Sequence, residues 1–447
     1  MSERASKKGI WGWMLFDWAG QPFHTLVITF MFAPYFASEL FATEAEGQAV
    51  WGYLVAVAGI LVALSAPILG GIADRTGPRK PWVLGFGALF VVGSWGLWWA
   101  SPDLPNLFWI YIAFVAAFIG AEYMIIFTNS ILPDLVPRKE VGKLSGYGWA
   151  IGYVGGVLVL FIMLLFMVTP PGSTETVLGN APIFGLDPAK GEGFRAAGPI
   201  SAIWFVVFAI PFFLFTPDKR IRKTKKEAVI EEVGGLRHSW KTIKSFPQLG
   251  LFFLSSMLYR DALVVLYSFG AIYAKGALDW GQMDLLIFGI VAAIAGALGA
   301  WLGGWVDGKF GPMPVVIFSI LSLILVTFAV LTISKDTVFM IYVGEDSSLP
   351  TTMFILCGAV IGAAGGSMQA SSRTLVVEFV DGKLPMTEAF GIYAMAGKAT
   401  AFVGPALVAL VTDISESQRI GLTPVIPILI AGLLLLWAAK KHEEKSV

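Results

Sequence analysis

Long apolar stretches alternate with short polar turns along the whole chain. A helix that crosses a lipid bilayer needs about 20 apolar residues. Stretches of that length predict spanning helices 1 to 12, in order, at residues 11–38, 49–73, 82–100, 107–131, 144–169, 198–216, 248–273, 283–306, 314–333, 350–377, 388–412 and 422–439. The alternation is interrupted once, by the polar and basic segment from Thr216 to Phe246. This predicts an N-terminal six-helix bundle over 1–216, a cytoplasmic linker over 217–247 and a C-terminal six-helix bundle over 248–447. The linker is expected to be a solvated tether that also fixes topology, with a lipid or regulatory contact as the alternative.

Two of the polar turns are copies of one another. Gly70-Gly71-Ile72-Ala73-Asp74-Arg75-Thr76-Gly77-Pro78-Arg79-Lys80 is echoed by Gly303-Gly304-Trp305-Val306-Asp307-Gly308-Lys309-Phe310-Gly311-Pro312. Each has a Gly-Gly pair, an Asp three residues on, a basic residue and then Gly-Pro. A second echo supports duplication. Ile119-Gly120 precedes Asn129-Ser130 and Leu132-Pro133-Asp134 at the end of span 4, and Ile361-Gly362 precedes Ser371-Ser372 and Leu375-Val376-Val377-Glu378 at the end of span 10. Six plus six spans in parallel repeat is the layout of major facilitator transporters. The expected fold class is all-α integral membrane, with twelve transmembrane helices in two six-helix bundles related by a pseudo-twofold axis.

Composition agrees with a membrane protein. Charged residues make up 14% of the chain, against about 25% for a soluble domain. The formal net charge is zero, so nothing points to nucleic acid. Most of the 31 lysines and arginines fall in alternate loops that share a side with Met1, which predicts cytoplasmic termini and two cytoplasmic repeated loops. No cleavable signal peptide is expected, because the apolar run after the basic start is too long and contains Asp17 and His24. An inner or plasma membrane is the expected location, with lipids as neighbours and a monomer as the oligomeric state. The one cysteine, Cys357, lies in an apolar run and excludes an intramolecular disulfide. No catalytic or metal constellation and no phosphate-cradling GK[ST] loop appears, so neither an enzyme nor a cofactor is expected.

The repeated loop resembles the major facilitator signature between spans 2 and 3. A narrower resemblance lies elsewhere. Trp13-Met14-Leu15-Phe16-Asp17-Trp18-Ala19 with Phe32-Ala33-Pro34-Tyr35-Phe36 is similar to the first span of the vacuole effluxer-like family, the autophagy-related branch of that superfamily. Gln369-Ala370-Ser371-Ser372-Arg373-Thr374-Leu375, Phe390-Gly391-Ile392-Tyr393, Gly397-Lys398-Ala399-Thr400 and Gly404-Pro405 resemble its spans 10 and 11, and Asn129 with Leu132-Pro133-Asp134 its span 4 ending. The chain departs from the family pattern at Gln21-Pro22, Arg260 and Glu122. The resemblance implies amino-acid efflux from a storage compartment, and a central cavity lined by spans 1, 4, 7 and 10.

Charge at bilayer depth is costly and faces a cavity or a partner. The ionisable residues inside the spans are Asp17, His24, Glu122, Arg260, Asp261, Arg373 and Lys398. At 1.5 Å per residue, His24, Arg260, Asp261 and Lys398 come out roughly 17–20 Å from the cytoplasmic helix ends. Arg373 comes out near the inner interface, where snorkelling is expected. Asp17, Gln21 and His24 share a face at i, i+4 and i+7, as do Glu122 and Asn129, and Ser367, Ser371, Thr374 and Glu378 form a polar stripe on span 10. These three stripes are expected to line a wet central path. The bland alternative is internal ion pairing and satisfied helix packing. The glycines of span 5, from Gly146 to Gly156, are expected to permit close helix approach.

Arg260 is suited to grip a carboxylate bidentately, and Asp261 or Glu122 to take an ammonium. The expected activity is secondary transport of a small polar or zwitterionic solute, an amino acid first, by alternating access and with protons coupled through Asp17, His24, Glu122 or Asp261. A transporter of sugars, nucleosides or drugs and a non-transporting scaffold are the alternatives. In the loops, Asp74 is expected to face the start of span 11 near Thr387, and Asp307 the start of span 5 near Lys143. Arg75, Arg79 and Lys80 are expected to latch the cytoplasmic side, with Gly77 and Gly311 shaping the turns.

Overall fold

The computed structural model describes residues 4–170, 173–218, 241–278, 280, 282–344, 347–401 and 403–446. Among the described residues the chain is nearly all helical and has 11 helices long and apolar enough to cross a membrane. The all-α membrane architecture expected from the sequence is therefore present. A two-stranded antiparallel hairpin, Thr337–Val338 with Ile341–Tyr342, interrupts it between spans 9 and 10. Most of the expected linker, residues 219–240, lies outside the described residues.

The difference between twelve predicted spans and 11 long helices lies in span 1. It forms in three pieces of 16, 8 and 8 residues: an α-helix Lys7–Pro22, a π-wound segment Phe23–Phe30 and an α-helix Phe32–Glu39. Pro22 is the physical reason, since it has no N–H and its ring crowds the preceding turn. The winding after it loosens to i→i−5, and the Met31 N–H donates to the Leu26 carbonyl at 3.0 Å. Span 11 is also divided, into Met386–Ala399 and Val403–Ser415.

The chain forms two compact units. The first comprises Met1–Ala66, Ala73–Val136 and Ile151–Thr224; the second comprises Pro67–Ile72, Pro137–Ala150 and Lys225–Val447. In the first unit, Phe16 of span 1 packs on Phe205 and Phe212 of span 6 at ring-centroid distances of 5.6 and 4.7 Å. The buried Trp13 Nε1 donates to the Thr128 carbonyl at 2.8 Å, which ties span 1 to the end of span 4. In the second unit, spans 8 (Gln282–Phe310) and 10 (Leu349–Val380) meet through small residues. Gly362 and Gly366 lie on the backbone of Ala292 and Gly296, and Gly299 and Gly303 lie on Ala363 and Ser367. Lipid tails are as apolar as leucine, so helices associate by close backbone contact, which small residues permit. Gly299, Gly303 and Asp307 are four apart and share one face. The ladder that brings the two backbones together therefore also aims Asp307 at span 10. Large apolar side chains such as Leu64, Val92, Phe318 and Leu325 face outward.

Candidate functional site

In the first unit, Asp17 and Gln21 lie one turn apart on span 1, both half-buried. Their face rests on the glycines of span 5 (Val141–Phe166). A Cβ on Gly152 would stand 3.3 Å from the Asp17 carbonyl, and one on Gly156 would crowd Gln21 Cγ at 2.9 Å. The expected packing role of these glycines is thus realised against the polar face of span 1. His24 is half-buried and sits in the π segment, where Thr29 Oγ1 donates to its carbonyl at 2.8 Å. The i, i+7 alignment of Asp17 with His24 presumes uninterrupted α-winding. The change of winding at Pro22 breaks that presumption. On span 4 (Phe108–Asn129), Glu122 is half-buried and Asn129 is buried at the last helical residue.

In the second unit, Arg260 lies near the middle of span 7 (Pro247–Leu278). Its Nη1 donates to the Tyr393 carbonyl at 2.9 Å, and its guanidinium carbon stands 4.2 Å from the centre of the Tyr393 ring. The guanidinium fills the space left by the missing side chain of Gly397. Tyr393 is held in turn, because its hydroxyl donates to Ser372 Oγ at 2.8 Å and Ser372 also meets the Tyr259 hydroxyl. Nε and Nη2 of Arg260 have no hydrogen-bond partner among the described residues, and the side chain is half-exposed. Arg260 is therefore fixed along one edge and open along the other.

Arg260 and Asp261 form no ion pair with each other among the described residues, although the Arg260 charge reaches the Asp261 carboxyl. Asp261 is only 3% exposed; its Oδ1 has no hydrogen bond among the described residues and lies near the Thr400 hydroxyl, just past the end of the first piece of span 11. Lys398 is half-buried in the last turn of that piece. A helix C-terminus carries a partial negative charge that favours a cation.

Two expectations for span 10 are corrected. Arg373 does not snorkel: it is 4% exposed, its Nε donates to Ser145 Oγ at 3.0 Å and its Nη2 to the Ser145 carbonyl at 2.8 Å, with the Trp149 ring beneath it at 5.4 Å. Ser145 Oγ donates onward to the Ala370 carbonyl at 2.6 Å. The polar stripe is also not an open wall. Ser367 hydrogen-bonds Ser319 at 2.8 Å. Ser371 and Thr374 are buried, with their hydroxyls beside the Asp307 carboxylate but outside hydrogen-bonding geometry.

The first repeated loop is corrected as well. Arg79 and Lys80 are bound inside the first unit. Arg79 is 1% exposed, and its Nη2 lies 3.0 Å from Asp74 and its Nη1 3.5 Å from Asp134. The backbone N–H groups of Arg79 and Lys80 donate to the Asp218 carboxylate at 2.9 and 2.8 Å, and Lys80 Nζ donates to the Phe213 carbonyl at 2.9 Å. Span 3 (Lys80–Gly96) has no capping side chain of its own, so Asp218 supplies the missing acceptor for its first amides. Arg75 is half-buried. Gly70, one turn before Asp74, lies against the Thr387 carbonyl. In the second loop, the Asp307 carboxylate occupies the space above Gly142, in the first turn of span 5. Gly77 and Gly311 close the two turns at φ 100° and 83°, a region that side chains other than glycine's rarely allow.

Sequence reasoning missed Tyr259, Ser372, Ser145 and Asp218. Ser372 and Tyr393 stood in motifs already noted. Nothing local marked Ser145 or Asp218, whose partners lie more than a hundred residues away.

The pattern of the family described as "Vacuole effluxer Atg22 like" matches residues 37–446. The chain belongs to this family. The match begins beyond the Trp13–Ala19 motif of span 1. Similar relatives include the uncharacterized MFS-type transporter YxiO of Bacillus subtilis strain 168, 24% identical over 95% of this chain and 93% of that protein. Autophagy-related protein 22 of Yarrowia lipolytica is 22% identical over 66% of this chain, and the matched stretch spans about half of that longer protein. Among solved structures, the proton:xylose symporter XylE bound to 6-bromo-6-deoxy-D-glucose superposes with a TM-score of 0.67 at 15% identity, covering 96% of this chain and 94% of the other. The fold is that of the major facilitator superfamily, and this Atg22-like member is a multi-pass membrane transporter of that superfamily.

Proposed function

We propose that this transporter moves a small polar or zwitterionic solute, an amino acid in the first instance, in the efflux direction and by alternating access, with protons as the coupling ion. The observation that carries the reading is Arg260, a half-exposed guanidinium near mid-helix, locked by Tyr393 and Gly397 with its Nε and Nη2 edge unbonded. A planar fork held in this way suits a carboxylate better than a flexible ammonium does. Glu122, half-buried on span 4, is grouped with Asp17 and His24 as a candidate for proton handling. Asp261 is too buried to meet a solute and is assigned with Asp17 and His24 to proton handling. The family's description as a vacuole effluxer supports the efflux direction. The lysine and arginine bias supports both termini lying in the cytoplasm; a plasma-membrane monomer among lipids completes the proposal.

Proteoliposome counterflow of labelled amino acids, with and without a pH gradient, tests this. Wild type is expected to carry at least one amino acid above empty liposomes, with flux raised by the gradient. Arg260→Ala is expected to abolish flux, and Arg260→Lys to weaken solute binding about tenfold through loss of the fork. Arg260→Ala flux equal to wild type sinks the site. A gradient response unchanged in Asp17→Asn, His24→Ala, Glu122→Gln and Asp261→Asn sinks the coupling assignment.

A further inference from the structure

The duplicated loop allows one copy to report what the other lacks. In the first copy, Gly77-Pro78 is followed by Arg79, which is buried against Asp74. In the second copy, Gly311-Pro312 is followed by Met313, also buried. Asp307 keeps its place but has no arginine.

The first turn of span 5 offers Asp307 a partial positive charge, but among the described residues no basic side chain replaces the arginine. It is 4% exposed and its Oδ2 has no hydrogen-bond partner among the described residues. The hydroxyls of Ser371 and Thr374, on residues 0% and 3% exposed, lie beside the carboxylate and have no hydrogen-bond partner either. The nearby basic side chains are turned elsewhere: Lys309 sits over the Trp305 ring at 3.7 Å, Lys143 over the Tyr147 ring at 5.6 Å, and Arg373 is bonded to Ser145. The Lys139 carbonyl lies near Gly308. The other group whose charge reaches Asp307 is Glu378, which adds negative charge. Three buried oxygens thus converge where the sister loop holds a guanidinium. A buried carboxylate without a compensating charge is costly.

We propose that Asp307, Ser371 and Thr374 bind a sodium-sized monovalent cation, which takes the part that Arg79 plays in the first loop. Hard oxygen donors, one of them anionic, suit such an ion. Its position at the cytoplasmic end of span 8, against Gly142 of span 5, makes it a site that stabilises this corner of the second unit. The proposal does not depend on the identity of the transported solute.

The test is thermal unfolding of the purified full-length protein in NaCl, KCl or choline chloride at equal ionic strength, repeated at several pH values. Sodium is expected to raise the melting temperature of wild type by about 2–4 °C, the shift that a ligand present at several times its dissociation constant produces. Asp307→Asn and Thr374→Val are expected to lose the sodium response. Met313→Arg is expected to fold, to melt as high without sodium as wild type does with it, and to be indifferent to sodium. Equal melting in all three salts overturns the proposal. So does a shift that follows pH alone, which marks a proton instead, or a sodium shift that persists in Asp307→Asn. Failure of amino-acid flux leaves this result untouched.

Discussion

The two repeated loops began as one sequence and now satisfy the same aspartate by different means. Asp74 meets Arg79, and that guanidinium also reaches Asp134, while Asp218 closes the backbone amides beside it. Three carboxylates surround one buried cation and one buried helix start. Asp307 meets no cation among the described residues; it meets a glycine and two hydroxyls. The difference teaches that conservation of an aspartate across a repeat does not conserve its electrostatic work. The first loop is a closed knot of charge within its unit. The second leaves a charge to be balanced by something else.

The comparison can be broken most sharply at Arg79. Arg79→Met turns the first loop into the chemistry of the second and leaves Asp74 and Asp134 facing each other without a cation. Removing one partner of a buried charge cluster costs about 3–5 kcal/mol. Unfolding in mixed detergent micelles is expected to show a loss of that size, and a change below about 1 kcal/mol would show the knot to be ornamental. A smaller effect is expected from Gly142→Ala. The added methyl would enter the space held by the Asp307 carboxylate, and overpacking of this kind costs about 1–3 kcal/mol. Unchanged stability would mean that the carboxylate moves freely, so that its placement over span 5 is unimportant. The smallest effect belongs to Asp218→Ala, which removes the acceptor for the first amides of span 3. Loss of a cap costs about 1 kcal/mol, and faster hydrogen exchange at Arg79 and Lys80 is the accompanying sign.

Much of the fold was legible because bilayer length and helical rise are the same for every apolar stretch. The spans and the duplication follow from that, and the family resemblance rests on motifs on spans 1, 4, 10 and 11, of which the family match covers those on spans 4, 10 and 11. Pro22 marks a break in the winding but does not say how the chain resolves it: the helix continues through it by changing to π-winding, so the face shared by Asp17 and His24 is not the regular one. The candidate site was legible as a set of residue types. Arg260 could be picked out as a charge in an apolar helix, but not its dependence on Gly397, which lies on another span. Arg373 illustrates the opposite error. Its depth suggested a side chain reaching for water, whereas Ser145, far away in sequence, offers it a hydroxyl and a carbonyl.

Sequence alone determined that this chain spans a membrane, that it was built twice from one unit and which ionisable residues lie inside its spans. These are statements about lengths, periods and residue types, which the bilayer imposes on each segment separately. Only the tertiary structure decided which charges are already spoken for. Arg79 and Arg373 are bonded inside their units, Arg260 keeps an open edge, and Asp307 is left to hydroxyls. The reason is that a charge in a low-dielectric interior is governed by neighbours within a few ångströms, and those neighbours come from helices that only packing brings together.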